Sequence, residues 1–297
     1  MSKSSIVEII NDYKTRLVDI YTAREAANIT FIVTKKLSNY SRTEYAIHKK
    51  IIVDEEKQAE YHRFLNRLLK HEPVQYVLGE TEFLGLTLKV NKHVLIPRPE
   101  TEELVLWIVD DINAAATSPK KILDIGTGSG CIAIGLKHNL ANVEVDAMDK
   151  FSKALEIAEK NAKSNKQKIN FFASDLLSDD PLPVSYKYDL IVCNPPYIPS
   201  YERDLLELNV IKYEPHAALF TNSDDPLIYY KAVINLCNKY LKYGRPLYFE
   251  VNENMAGEVA DLMNKYNFEE IEITKDLSGK ERMVRGEKQK KAYERLN

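Results

Sequence analysis

From about residue 99 the chain alternates short apolar, β-branched runs with longer segments of helical periodicity, and this alternation restricts the fold more than any other feature. The runs are KILDI (121–125), VEVDAMD (143–149), INFFA (169–173), YDLIVCN (188–194) and PLYFEV (246–251). Between them, helical patterns cover Thr101 to Ile112, the segment from Cys131, Ser152 to Lys163, Asp225 to Tyr243 and Asn254 to Tyr266. Near-continuous apolar strands separated by helices predict a parallel sheet covered on both faces, a Rossmann-like α/β fold. Two last strands, FEEIEIT (268–274) and ERMVRG (281–286), leave no room for a crossover helix, so they are expected to pair antiparallel at an edge.

Residues 1–72 read differently. Ile6, Ile9, Ile10, Tyr13 and Leu17, then Phe64, Leu65, Leu68 and Leu69, recur at spacings of three and four with charged residues between them, the pattern of amphipathic helices. Asp54 before Glu55 and Glu56 predicts a helix start, and Pro73 a stop. With no glycine-rich loop and no cluster of reactive groups, this region predicts a small helical domain for packing or partner recognition. Residues 73–98 predict a connector in which TEFLG and LTLKV form a hairpin around Gly85, followed by the extended run VLIP. Residues 99–297 then form the α/β domain, closing in the charged tail EKQKKAYERLN, expected as a solvated helix or frayed end.

The first chemical motif is Asp124-Ile-Gly126-Thr127-Gly128-Ser129-Gly130, between an apolar strand and a helix. Glycines permit tight turning and close approach of the backbone to a ligand, and the helix start offers unpaired N–H groups. One strand later Asp149 stands at a strand tip, where an acid can accept bonds from ribose hydroxyls. Strand, glycine loop, helix and acid together predict an adenosine-containing cofactor. The GxGxG spacing favours S-adenosylmethionine over a dinucleotide, whose pyrophosphate needs the longer glycine pattern. Without a ligand, the same residues would be a tight strand-to-helix turn.

The second motif, Asn194-Pro195-Pro196-Tyr197, directly follows a buried strand, at the carboxyl end where open α/β sheets place their ligands. An amide or exocyclic amino nitrogen is a poor nucleophile because its lone pair is delocalised. The Asn194 side-chain carbonyl can accept one of its N–H bonds and the Pro195 main-chain carbonyl the other. Consecutive prolines stiffen the turn that aims these acceptors, and Tyr197 offers a flat face for stacking. Alignment carries such chemistry, and no Ser/His/Asp or Cys/His constellation is needed. The bland alternative is a Pro-Pro turn leaving a strand.

With these residues the chain resembles the release factor glutamine N5-methyltransferases, a family of class I S-adenosylmethionine-dependent methyltransferases. The resemblance also runs through Pro73-Val-Gln75-Tyr76 with Gly79, Phe83-Leu-Gly85, and the specific block Val94-Leu-Ile-Pro97-Arg98-Pro99-Glu100-Thr101-Glu102. It continues through Ile198, Glu214-Pro215 with Ala218-Leu219, and Asp276-Leu277 with Gly279 and Arg282. The resemblance implies a seven-stranded sheet with an antiparallel edge hairpin, and a cofactor held by Gly126 to Gly130, Asp149, Leu176 and Asn194. It implies that Asn194 to Tyr197 grip the glutamine of the Gly-Gly-Gln loop of a release factor, whose body docks on the N-terminal helices. Two departures stand out: Leu176 replaces a frequent Trp, and Glu250-Val-Asn-Glu-Asn-Met255 replaces a run that often carries Gly and Gln. The latter loop is expected to lie away from the chemistry. Arg98, Glu100 and Glu102 read as helix-start capping and dipole residues, and a role in closing the cofactor pocket is expected of the block without assignment to any one residue.

Lys and Arg total 41 against 44 Asp and Glu, a net charge of -3, so the basic excess of a nucleic-acid-coating domain is missing. This disfavours the main alternative, an N6-adenine DNA or ribosomal RNA amino-group methyltransferase, which would flip out its target base. A cofactor-binding regulator would have no need of Asn194 to Tyr197. Cys131, Cys193 and Cys237, widely spaced and odd in number, predict neither a disulfide framework nor a zinc site. No metal, no signal peptide, no membrane span and no direct nucleic-acid contact are expected, and a cytoplasmic monomer is.

Overall fold

The computed structural model describes residues 4–48, 50–115, 119–221 and 223–290. The expectation for the charged tail beyond 290 lies outside the described residues. The chain divides into two compact units, Met1–Glu80 with Glu207–Tyr213, and Thr81–Leu206 with Glu214–Asn297.

The first unit begins with α1 (Ile6–Leu17), α2 (Ala23–Ser38), α3 (Arg42–His48), α4 (Glu55–Leu68) and α5 (Val74–Leu78). Helix starts follow local chemistry: Glu8 accepts hydrogen bonds from the Ser5 N–H and hydroxyl, Thr22 accepts from the Glu25 N–H, and Asp54 from the Lys57 N–H. The apolar stripes named above bury together, Leu17, Leu65 and Leu68 completely. Pro73 does not stop α4, which ends at Leu68; it is the N-cap of α5. Arg67 fixes this corner, pairing with Glu72 at 2.5 Å and donating to the Tyr76 and Val77 carbonyls.

The second unit opens with a two-stranded sheet of β1 (Glu80–Phe83) and β2 (Leu86–Lys89), the expected hairpin. VLIP forms no strand, because the Val94 N–H closes a turn onto Asn91 and the Ile96 N–H is taken by Glu214. Then follow α6 (Pro99–Ala114), β3 (Lys121–Ile125), α7 (Cys131–Asn139), β4 (Glu144–Asp149), α8 (Ser152–Ser164), β5 (Asn170–Ala173) and β6 (Leu190–Cys193). The stretch after β6 contains a 3-10 turn (Ser200–Leu205), α9 (Leu208–Tyr213), which belongs to the first unit, and α10 (His216–Leu219). The chain closes with α11 (Ile228–Tyr240), β7 (Pro246–Glu250), α12 (Ala256–Lys265), β8 (Phe268–Lys275) and β9 (Glu281–Lys288).

Seven strands form one sheet in the order β5-β4-β3-β6-β7-β9-β8. β3 to β7 run parallel, and β9 pairs antiparallel with both β7 and β8, as the missing crossover predicted. Side chains alternate between the two faces. Leu123, Ile191 and Phe249 pack with Tyr230 and Val233 of α11 and Val259 of α12. Ile122, Val192 and Tyr248 pack with Leu104 and Ile108 of α6 and Ile134 of α7. The buried Lys288 ammonium donates to the carbonyls of Cys237, Asn238 and Leu241, and so caps the α11 C-terminus. Strand order reverses between β3 and β6, which opens a crevice at their carboxyl ends. Among the described residues no helix is long and apolar enough to cross a membrane.

Candidate active site

The register of β3 with β6 pairs Ile125 with Cys193, so the glycine loop and Asn194 leave neighbouring strands side by side. Asp149 ends β4 on the other flank of β3, and Leu176 follows β5. The two sequence motifs therefore meet at one edge of the sheet.

In the loop, Gly126, Gly128 and Gly130 have φ of 73°, 55° and 84°, the left-handed region that glycine enters without strain. Close packing adds to this at Gly130, where a Cβ would lie 3.0 Å from Ile134 Cδ1 and 3.1 Å from Ala158 Cβ. At Gly126 a Cβ would meet nothing within 4 Å, which leaves open space against the loop. Thr127 and Ser129 are buried, and the Thr127 hydroxyl donates to Asp124 Oδ2 at 2.6 Å. The Thr127 hydroxyl is thereby committed to the loop itself. The Asp149 carboxylate accepts from the Gly128 N–H and the Phe151 N–H, both at 2.9 Å, and ties the loop to β4. Burial raises its pKa above the ordinary value.

Asp124 is fully buried, and burial pushes its carboxyl up to about 7 against the hydrogen bonds from Thr127 and the Ala133 N–H. Both of those reach Oδ2, and Oδ1 is a buried acceptor without a hydrogen-bond partner among the described residues. An orphaned acceptor beside an open glycine cradle fits a ligand carrying an ammonium or hydroxyl donor, such as the methionine end of S-adenosylmethionine. Leu176 is half-buried against the α11 face of the core, where it offers an apolar surface. Asn161, which the sequence does not single out, braces the loop from α8: it donates to the carbonyls of Ser129 and Lys89 and accepts from the Lys89 N–H.

Beyond β6, Pro195 is buried and Pro196 and Tyr197 are half-buried. The Tyr197 hydroxyl is raised by burial and then by the nearby Glu250 charge. The next residue is pinned by main-chain bonds, Ile198 N–H to Leu219 O and Thr221 N–H to Ile198 O. Arg98, at the N-cap of α6, pairs with buried Glu214 at 2.5 Å, and Glu102 accepts the Leu84 N–H. These residues of the IPRPETE block thus make specific ties within the second unit as well as starting a helix.

Asn194 is held by residues that sequence reasoning missed. Its Nδ2 lies 3.3 Å from Thr101 Oγ1, and Thr101 donates to Glu250 Oε2 at 2.6 Å. Thr101 and Glu250 are 2% and 1% exposed. Burial pushes the Glu250 carboxyl up to about 7, while the Thr101 hydrogen bond works in the opposite direction. Cys193 pairs with Phe249, so Asn194 and Glu250 emerge side by side from β6 and β7. The expectation that the 250–255 run lies away from the chemistry is thereby corrected at its first residue. Glu253 of the same loop binds Arg282 at 2.8 Å, and the Arg282 charge acts on Tyr197.

Residues 107–212 match the methyltransferase small domain family and residues 8–79 the PrmC N-terminal domain family. The chain is 38% identical over 282 residues to the release factor glutamine methyltransferase of Flavobacterium psychrophilum, covering 93% of this chain and 98% of that protein. It is 37% identical over 268 residues to that of Bacteroides thetaiotaomicron, covering 90% and 95%. Among solved structures it is similar to the hMettl16 catalytic domain in complex with an RNA hairpin, with a TM-score of 0.56, 15% identity, and coverage of 88% and 93%. A second similar structure is the T. thermophilus 16S rRNA methyltransferase RsmC, with a TM-score of 0.51, 16% identity, and coverage of 71% and 50%. At such identities the two structures speak for the methyltransferase fold alone. Relatives of more than a third identity over nearly its whole length establish that the chain belongs to the release factor glutamine methyltransferase family.

Proposed function

We propose that this protein transfers a methyl group from S-adenosyl-L-methionine to the side-chain amide nitrogen, N5, of the glutamine in the Gly-Gly-Gln loop of peptide chain release factors, with S-adenosyl-L-homocysteine as product. The observation that carries the reading is the committed state of Asn194. Its Nδ2 is bonded toward Thr101, which leaves Oδ1 as an acceptor at the sheet edge shared with the glycine loop.

In this reading the main chain of Gly126 to Gly130, Asp124 Oδ1, Asp149, Leu176 and Asn194 hold the cofactor. When bound, the cofactor supplies a methyl group already activated by a positive sulfur. Asn194 Oδ1 and the Pro195 carbonyl accept the two N–H bonds of the glutamine amide, and the Tyr197 ring packs on its plane. These contacts turn the nitrogen lone pair toward the methyl group, and alignment of this kind supplies about 7–11 kcal/mol in favourable cases. The methylated nitrogen is acidic enough to shed its extra proton without a strong base. Residues 1–72 dock the release factor body, 73–98 link, and 99–297 carry the chemistry, in a monomer acting in the cytoplasm without metal.

The test is transfer of a labelled methyl group to three substrates side by side: a release factor, duplex DNA and ribosomal RNA. Label in the release factor alone is expected. Label in nucleic acid with none in the release factor would replace this reading with the amino-group alternative.

A further inference from the structure

Resting on the reading of Asn194 as the grip on the substrate amide, we propose that Thr101 and Glu250 are positioning residues that lock the Asn194 side chain with Oδ1, rather than Nδ2, facing the substrate nitrogen.

An asparagine amide is nearly symmetric in shape, and its terminal torsion is broad. Turned over, Asn194 would point two N–H donors at the N–H bonds of the substrate, and the grip would become a repulsion. Only a partner that distinguishes donor from acceptor can prevent this. A threonine hydroxyl has a single proton. Thr101 commits it to Glu250 Oε2 at 2.6 Å, so toward Asn194 it presents a lone pair, which accepts from Nδ2 at 3.3 Å. An ionised carboxylate has no proton to give, so Glu250 fixes the direction of both bonds. The Asn194 amide also acts to lower the pKa of that carboxylate, as a donor beside it does.

Burial makes the arrangement selective. With Thr101 and Glu250 almost inaccessible, water cannot offer Asn194 a donor from that side. The three groups come from three elements that the fold holds rigidly: Asn194 from the end of β6, Glu250 from the end of β7, and Thr101 from the first turn of α6. A buried carboxylate here is costly, and the Tyr230 hydroxyl donates to the Glu250 main-chain carbonyl, at 3.4 Å, rather than to the carboxylate. Orienting Asn194 gives the carboxylate a purpose that packing alone does not.

The experiment uses the full chain with a release factor as substrate, and compares Thr101→Val, Thr101→Ser, Glu250→Gln, Asn194→Ala and the double variant Thr101→Val/Asn194→Ala. Thr101→Val is expected to lower kcat by about tenfold, roughly what one polar interaction carries, with KM nearly unchanged. Thr101→Ser recovers most of the loss. In the Asn194→Ala background Thr101→Val adds nothing, because Thr101 acts through Asn194. A second readout needs neither cofactor nor substrate. The side-chain NH2 signals of Asn194 in the 15N-labelled protein shift toward those of a free amide, and exchange faster, in Thr101→Val but not in Thr101→Ser. Wild-type kcat in Thr101→Val, multiplicative losses in the double variant, or an unmoved Asn194 signal would each overturn the proposal. If Asn194→Ala itself methylates at the wild-type rate, it is the grip that fails; if Asn194→Ala is impaired and Thr101→Val is not, only the positioning role fails.

Discussion

Glu250 sits where its charge can change near neutral pH. Burial pushes its carboxyl up to about 7 from an ordinary value of 4.5. Above that pH the carboxylate only accepts, and the bond direction toward Asn194 is fixed. Below it, a proton on Oε2 can run the other way through Thr101 and draw the acceptor of Asn194 inward. The kcat for methylation is therefore expected to fall on the acid side of about pH 7, and in Glu250→Gln, whose side chain does not titrate, that limb flattens. Asp124 titrates in the same range, so an unchanged limb in Glu250→Gln would assign it to the glycine loop instead. Stability follows the same group. A folded-state value above the ordinary one means that the native state binds more protons between about pH 4.5 and 7, so stability falls as pH rises through that window. Relative to wild type, Glu250→Gln is expected to gain about 1–3 kcal/mol between pH 5 and pH 8 in urea melts. At Gly130 both conformation and space resist a side chain. Gly130→Ala is expected to cost about 1–3 kcal/mol in the same melts and to weaken S-adenosylmethionine binding, which titration calorimetry reads.

Among the elements, the parallel strands and the antiparallel closing pair were legible because buried strands and covered faces leave a periodicity that needs no partner to be recognised. Boundaries moved for local reasons. Helix α11 starts at Ile228 rather than Asp225 because the Asp225 carboxylate accepts the Leu227 N–H in a turn just ahead of it. The run after Tyr197 hid three short helical pieces, each of six residues or fewer, too brief to show a repeat. Asn194 was legible from its motif, but its support was not. Thr101 lies 93 residues from Asn194 and 149 from Glu250, and only the pairing of β6 with β7 and the packing of α6 on the sheet bring them together. Asn161 is hidden in the same way, 72 residues from the Lys89 main chain it binds. Glu214 was quoted from its motif without a role, and the fold supplies one: it holds the entry to α6 by accepting from Ile96 N–H and pairing with Arg98. Glu214→Ala is expected to cost about 1–3 kcal/mol by chemical denaturation, the lower figures reflecting partial exposure of Arg98. It should also lower kcat, since the loosened helix start carries Thr101.

For the molecule as a whole, reversal of strand order at β3 and β6 creates the crevice, and the two motifs recognised in the sequence flank it. In the proposed reading the glycine loop gives a cofactor space and main-chain donors, and the turn after β6 gives a planar amide two acceptors and a ring. Both follow from the sheet, and the substrate follows from the amide geometry together with family membership. Mass spectrometry of a release factor incubated with this protein and S-adenosylmethionine tests that claim most directly. One added methyl group is expected on the glutamine of the Gly-Gly-Gln loop, absent when Asn194→Ala replaces the wild-type protein. An unmodified glutamine in the presence of active, cofactor-bound protein, or a methyl group mapped to another residue, would contradict it.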